Sequence, residues 1–147
     1  MHYSRVYTSP DGETHFEDVE TAGETGQAAE SDLVGTISMT FPVTGIYFRE
    51  VVEESSAVPH NAPYPLLIVG LRGTFSIEVS DGDVRTFPPG SVVLVEDTAG
   101  KGHTTRRVGD EPRATLMAPL ATDAWSLGSL ARDRDRLDLD LELGEGE

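Results

Sequence analysis

The sequence predicts a small all-β barrel or sandwich, and three observations support this prediction. Between residues 33 and 120, short runs of β-forming residues recur roughly every ten residues, with turns between them. No helical stripe of convincing length occurs in this region. An Asp81-Gly82 pair separates two of the runs and is typical of a β-hairpin. The candidate strands are 34–40, 44–53, 66–72, 74–79, 84–87, 91–95, 103–108 and 113–118.

Length and composition indicate one domain. A chain of 147 residues can bury a core without disulfides or a structural metal. The absence of cysteine excludes thiol catalysis, disulfides and thiolate metal sites. We expect an N-terminal extension over 1–35, a barrel over 36–120, and an acidic C-terminal tail over 121–147.

The net charge of −15 is concentrated in the two ends of the chain, where it favours solvation and self-repulsion. Without a basic stripe, nucleic acid is not an expected partner. No apolar stretch approaches 18 residues, so we expect no membrane span. The first residues lack the apolar segment of a secretory signal, and we expect a cytoplasmic location.

The two ends carry different patterns. Apolar anchors predict that residues 1–20 are ordered in part, whereas 20–32 has little to bury and is predicted to be a loop. Residues 122–135 are predicted to form a short helix. In 137–143, leucines alternate with acids; this segment either pairs with the barrel or a partner chain, or stays disordered because of its charge. Since an exposed alternating strand is a template for pairing, we expect a homodimer.

Two segments of the barrel region resemble the signature motifs of the cupin superfamily. These are VPHNAPYPLLIVGLRG at 58–73 and FPPGSVVLVEDTAGKGH at 87–103. His60 stands at the first histidine of motif one, and His103 stands at the histidine of motif two. The resemblance implies a jelly-roll barrel, or double-stranded β-helix, in which the two histidines face each other. It also implies an internal small-molecule site.

The ligand positions of the cupin motifs are only partly kept. Ala62 replaces the second histidine of motif one, and Leu66 replaces its glutamate. A complete cupin site holds iron, manganese, zinc or nickel with three histidines and one carboxylate. Glu96 or Asp97 could supply a missing oxygen, so His60, His103 and Asp97 are the ligands we expect if a divalent metal binds. Because two of the motif's ligand positions are lost, we favour a site without a cofactor.

Strand alternation adds candidates for substrate binding. Either Tyr47, Arg49 and Val51 or their neighbours Ile46, Phe48 and Glu50 face inward, and the sequence leaves both faces open. An inward Arg49 would bind a carboxylate or phosphate through two nitrogens. Tyr64 lies near His60, and Arg107 shares the strand face of His103. The expected substrate-binding residues are Tyr47, Arg49, Tyr64 and Arg107.

Two facing imidazoles form a natural acid–base pair, because imidazole titrates near neutrality. We therefore expect a metal-independent lyase, dehydratase or isomerase acting on a small polar metabolite. His60 would be the principal base, with His103 or Asp97 as its partner. One alternative is a metal-dependent oxygenase of the non-haem iron type. Another is a non-catalytic ligand-binding barrel, because a fold does not determine a function.

Overall fold

The computed structural model describes residues 1–21, 23–27, 34–38, 40–54 and 57–121, and all of its regular elements are strands. The eleven strands are β1 His2–Thr8, β2 Thr14–Glu20, β3 Gly23–Gln27, β4 Val34–Ser38, β5 Tyr47–Val51, β6 Leu66–Arg72, β7 Thr74–Val79, β8 Val84–Phe87, β9 Val92–Val95, β10 His103–Val108 and β11 Arg113–Pro119. Within the described residues, no helix is long and apolar enough to cross a membrane.

The strands form two main sheets and a separate hairpin. The first sheet has the order β2-β1-β9-β6-β11-β5, and the second has the order β10-β7-β8. Strands β3 and β4 pair only with each other among the named strands. All pairs are antiparallel except β1 with β9, which run parallel. The chain is thus an all-β jelly-roll barrel, as the sequence predicts.

The main core lies between the two sheets, because their inward residues form one apolar cluster. Phe75 and Ile77 from β7 pack there against Val93, Val95 and residues of β1, β6 and β11. A second cluster, on the other face of the large sheet, is built around Leu94. Both faces of β9 are therefore covered, which explains why its VVLV run is continuous rather than alternating.

Most strand boundaries agree with the sequence prediction. Strands β6, β7, β8 and β10 have the predicted limits, and β4, β5, β9 and β11 differ at one or both ends. The hairpin turn holds Gly82 at φ 97°, a conformation that glycine adopts without strain. The predicted loop over 20–32 is wrong at Gly23–Gln27, which forms β3. Backbone pairing with β4 supports this strand without any need for apolar side chains.

The segment expected as an N-terminal extension supplies β1 and β2 to the large sheet. Tyr3, Val6 and Val19 are buried there, in agreement with the apolar anchors seen in the sequence. The predicted helix over 122–135 and the alternating segment 137–143 lie outside the described residues.

Candidate functional site

A cavity of about 390 Å³ opens between the two sheets. Its inner wall is apolar and is formed by Leu66, Ile68, Phe75, Ile77, Val95 and Met117. The rest of the lining includes the basic side chains of His60, His103, Arg49 and Arg113, the acidic side chains of Glu53 and Glu54, and further apolar residues such as Val51 and Ala62. The two motif histidines therefore both line a cavity in the barrel.

The backbone holds His60 and His103 face to face. Each residue donates its N–H to the carbonyl of the other at 2.9 Å, which forms an isolated antiparallel bridge. The two imidazole centroids lie 4.6 Å apart. Gly102 makes this approach possible, since a Cβ there would lie 2.4 Å from the His60 carbonyl oxygen. The predicted opposition of the two histidines is thus present.

Behind His103 lies a buried carboxylate. Asp97 is fully buried, and its Oδ2 is 2.5 Å from His103 Nδ1. Two hydrogen bonds to the Asp97 carbonyl anchor the loop that carries this residue. The Ala62 N–H donates to it at 3.1 Å. The Asn61 amide donates to the same carbonyl at 3.2 Å. Asp97 is therefore held behind the imidazole rather than beside the two histidines.

The hydrogen bonds indicate which ring nitrogen is free. His60 Nδ1 lies 3.1 Å from the Val58 carbonyl, which can only accept, so Nδ1 is the donor. His103 Nδ1 donates to the Asp97 carboxylate. When either ring is neutral, its Nε2 keeps an unshared electron pair. Both histidines line the cavity, so each can accept a proton there.

The chain matches no protein-family model, and it matches no curated protein. Among solved structures it is similar to the crystal structure of a Salmonella typhimurium LT2 protein named ethanolamine utilization protein Q. The two chains are 10% identical, with a TM-score of 0.37, over 82% of this chain and 95% of the other. This similarity assigns neither a family nor an activity to the chain.

The side chains at the cavity do not complete a metal site. Within the described residues, no group of three histidine, aspartate or glutamate side chains is placed to hold an ion. The two imidazoles are the only cupin ligands kept, and Leu66 forms apolar wall where the motif has its glutamate. Asp97 uses its Oδ2 to orient His103. These donors do not fit the metal ion that the resemblance implies.

The structure decides which face of β5 points inward. Tyr47, Arg49 and Val51 line the cavity, whereas Phe48 is exposed on the other side. The Tyr47 hydroxyl is 3.4 Å from that of Tyr64, which lies outside the cavity lining. This contact and partial burial raise the pKa of Tyr47, so its phenol remains a proton donor at neutral pH.

Arg107 lies away from the cavity lining. Its guanidinium donates to the Val52 carbonyl at 2.6 Å, and its backbone N–H donates to Glu54. The sequence reasoning missed Arg113, which does line the cavity. Its position at the start of β11 could have suggested it, since alternation places Arg113, Thr115 and Met117 on one face. The structure thus joins four of the seven candidates at the cavity and places Asp97 directly behind one of them.

Proposed function

We propose that the cavity is an acid–base catalytic site for a small polar metabolite, with activity of the lyase, dehydratase or isomerase type. The observation that supports this proposal is the buried pair of Asp97 and His103, with His60 against it and the cavity in front. A carboxylate at Nδ1 holds an imidazole in one tautomer and stabilises the imidazolium that forms when Nε2 takes a proton.

In this proposal His103, rather than His60, is the principal base. Asp97 supports only His103, whereas His60 has a neutral carbonyl as its Nδ1 partner and lies exposed at the rim. His103 Nε2 accepts the proton that leaves a substrate carbon, and the electron pair moves into the adjoining carbonyl. A protonated His60, which lies against His103, donates a proton to the atom that receives the electron pair. The apolar inner wall excludes water from the intermediate.

Hydrogen–deuterium exchange provides a test that does not require the substrate to be known. The protein is incubated in D₂O with a panel of 2-oxo acids, hydroxy acids, aldoses and ketoses, and NMR detects deuterium at carbon. We expect enzyme-dependent exchange for at least one member. His103→Gln should lower the rate by about 10²-fold or more, the usual contribution of a positioned base.

His15→Gln is a suitable control, because His15 also pairs with an aspartate, Asp81, at 2.8 Å but lies outside the cavity lining. Its exchange rate should equal that of the wild type. Exchange that requires added Fe²⁺ and disappears with chelator would favour the metal-dependent alternative. If no compound exchanges faster with the wild type than with His103→Gln, the acid–base proposal is wrong and a ligand-binding barrel is the better description.

A further inference from the structure

The cavity has an arginine end, where Arg49 and Arg113 stand; two carboxylates, Glu53 and Glu54, also line the cavity. Arg113, on β11, is mostly buried; it pairs with Glu54 at 2.8 Å and lies over the Phe75 ring at 5.5 Å. Burial lowers the pKa of Arg113, the Glu54 charge opposes that shift, and the positive charge of Arg49 lowers the pKa further. In the sheet register Arg113 pairs with Val51 and Arg49 pairs with Thr115, so the two arginines stand at diagonal positions of β5 and β11, and both line the cavity.

Within the part of the chain that the structure describes, Arg49 has no carboxylate partner comparable to the Glu54 that pairs with Arg113. It faces the cavity from β5, opposite Thr115 of β11 in the sheet register. No carboxylate of the described residues forms an ion pair with Arg49. The buried Thr115 hydroxyl donates to the Met117 sulfur at 3.2 Å, and a thioether is a weak acceptor. An anion bound here would accept hydrogen bonds from the Arg49 guanidinium. It would also be a stronger acceptor for the Thr115 hydroxyl than the Met117 sulfur is.

The arginine end and the histidines lie at different levels of the barrel. His103 pairs with Val79 in the small sheet, and Arg107 pairs with Phe75, over which Arg113 lies. At about 3.3 Å per residue, these two levels of β10 are roughly 13 Å apart. Apolar side chains, including Ile77, form the wall between them. The cavity thus has arginines at one end, apolar side chains in the middle and the two histidines at the other end.

We propose that the ligand of this cavity is an organic carboxylate whose anionic group binds Arg49 and Arg113, with a short apolar body that extends toward His60 and His103. Glu54 pairs with Arg113, and Glu53 adds a further negative charge to the lining, so a singly charged carboxylate is favoured over a phosphate dianion. The position of the reacting carbon rests on the proposed function. The carboxylate site itself does not depend on it.

Titration of the full chain with hexanoate, hexanamide and hexyl phosphate, followed by ¹⁵N–¹H NMR, tests the inference. We expect hexanoate to bind at least tenfold more tightly than hexanamide, which has a similar shape without the charge. Arg49→Gln should weaken hexanoate tenfold or more; since Arg49 is exposed, the barrel should stay folded. Arg106→Gln is the matched control, because Arg106 is exposed and pairs with Glu78 outside the cavity lining.

Several results would overturn the inference: equal affinity for hexanoate and hexanamide, no binding of any probe, tighter binding of hexyl phosphate, or equal affinities of the Arg49→Gln and Arg106→Gln variants. His103→Ala separates this proposal from the catalytic one. If it loses exchange at carbon but still binds hexanoate, both proposals stand. If the wild type binds hexanoate through Arg49 and catalyses no exchange, the carboxylate site stands and the catalytic proposal fails.

Discussion

At the scale of single residues, Asp97 determines the chemistry available to His103. Its Oδ2 accepts from the imidazole, while its Oδ1 has no hydrogen-bond partner among the described residues. Burial of an unpartnered polar atom costs about 1–3 kcal/mol. A buried charge is also rarely needed for stability, since apolar replacements are often neutral or better. Asp97 thus lies where the proposed function needs a carboxylate to orient the imidazole.

The Asp97→Asn variant separates this role from a structural one. An amide NH₂ facing Nδ1 favours the opposite tautomer, in which Nε2 carries the proton and cannot act as a base. We expect exchange at carbon to fall by about 10²-fold or more, with a thermal midpoint equal to or above that of the wild type. Asp81→Asn, which alters the pair with His15, should leave exchange unchanged. An Asp97→Asn variant with normal exchange would show that Asp97 only packs the loop.

Only part of this site was predictable from the sequence. The motif positions predicted the opposed His60 and His103, and the sequence before His103 offered Asp97 as a ligand or acid–base partner. Its contact with Nδ1 depends on the path of the loop, which composition does not determine. The inward face of β5 depends on its register with β11, so Arg49 and Phe48 were equal alternatives in the sequence.

At the scale of elements, the loop between β9 and β10 positions the site. It carries Asp97 at its start and delivers His103 at its end, and two glycines let it pack closely. Gly100 has φ 86° and lies against the Gly12 carbonyl, while Gly102 has φ 74° and lies against His60. The Thr14 hydroxyl donates to the Gly102 carbonyl at 2.7 Å, which fixes the loop to β2. The bridge between the histidines depends on this close packing.

Substitution of Gly102 by alanine should weaken both the fold and the site. The new Cβ would lie 2.4 Å from the His60 carbonyl oxygen, and a positive φ adds about 1 kcal/mol of strain. Gly82→Ala is the matched control, because Gly82 has φ 97° but open space around its Cβ position. Denaturant unfolding should show Gly102→Ala to be less stable than Gly82→Ala by roughly 1–3 kcal/mol. Equal losses in the two variants would mean that the bridge tolerates the displacement.

The sequence predicted the strands after β3, which carry apolar side chains between clear turns, and it missed β3 itself, which carries neither signal. From β6 to β11, alternation and glycine turns determined the boundaries well. Strand β3 has hardly any apolar side chain, so it became visible only through its pairing with β4. The parallel contact of β1 with β9 joins residues about 90 positions apart, and a sequence pattern carries no signal for such a distant pair.

At the scale of the whole molecule, one end of the barrel is held together by a polar network. It joins the β1–β2 turn, the β7–β8 turn and the loop before β10. Ser80 donates to Glu13, Glu13 also pairs with Lys101, and His15 contacts Asp81. Lys101 belongs to the loop between β9 and β10 that carries Asp97, so the pair of Glu13 and Lys101 links this loop to the β1–β2 turn.

This network predicts an acid limit to stability. Hydrogen bonding lowers the pKa of three carboxyls: Asp11 chiefly through Ser9, Glu13 through Lys101, and Asp81 through the Asp83 backbone N–H. The unfolded chain, with ordinary values of 3.8 for aspartate and 4.5 for glutamate, therefore binds protons more readily. Their contribution is fully present above the unfolded pKa values and is lost as the pH falls through the folded ones.

We expect the thermal midpoint to be nearly constant between about pH 7 and 5 and to decrease below about pH 4.5. At pH 7, Asp81→Asn should lower the midpoint by about 1–3 °C, since its contacts are largely exposed. This difference should shrink as both proteins approach pH 3, where the wild-type carboxyl is protonated too. Asp110→Asn removes the same charge from an exposed turn outside the network and serves as the control. Parallel wild-type and Asp81→Asn curves down to pH 3 would show that the Asp81 carboxylate does not contribute to the acid limit.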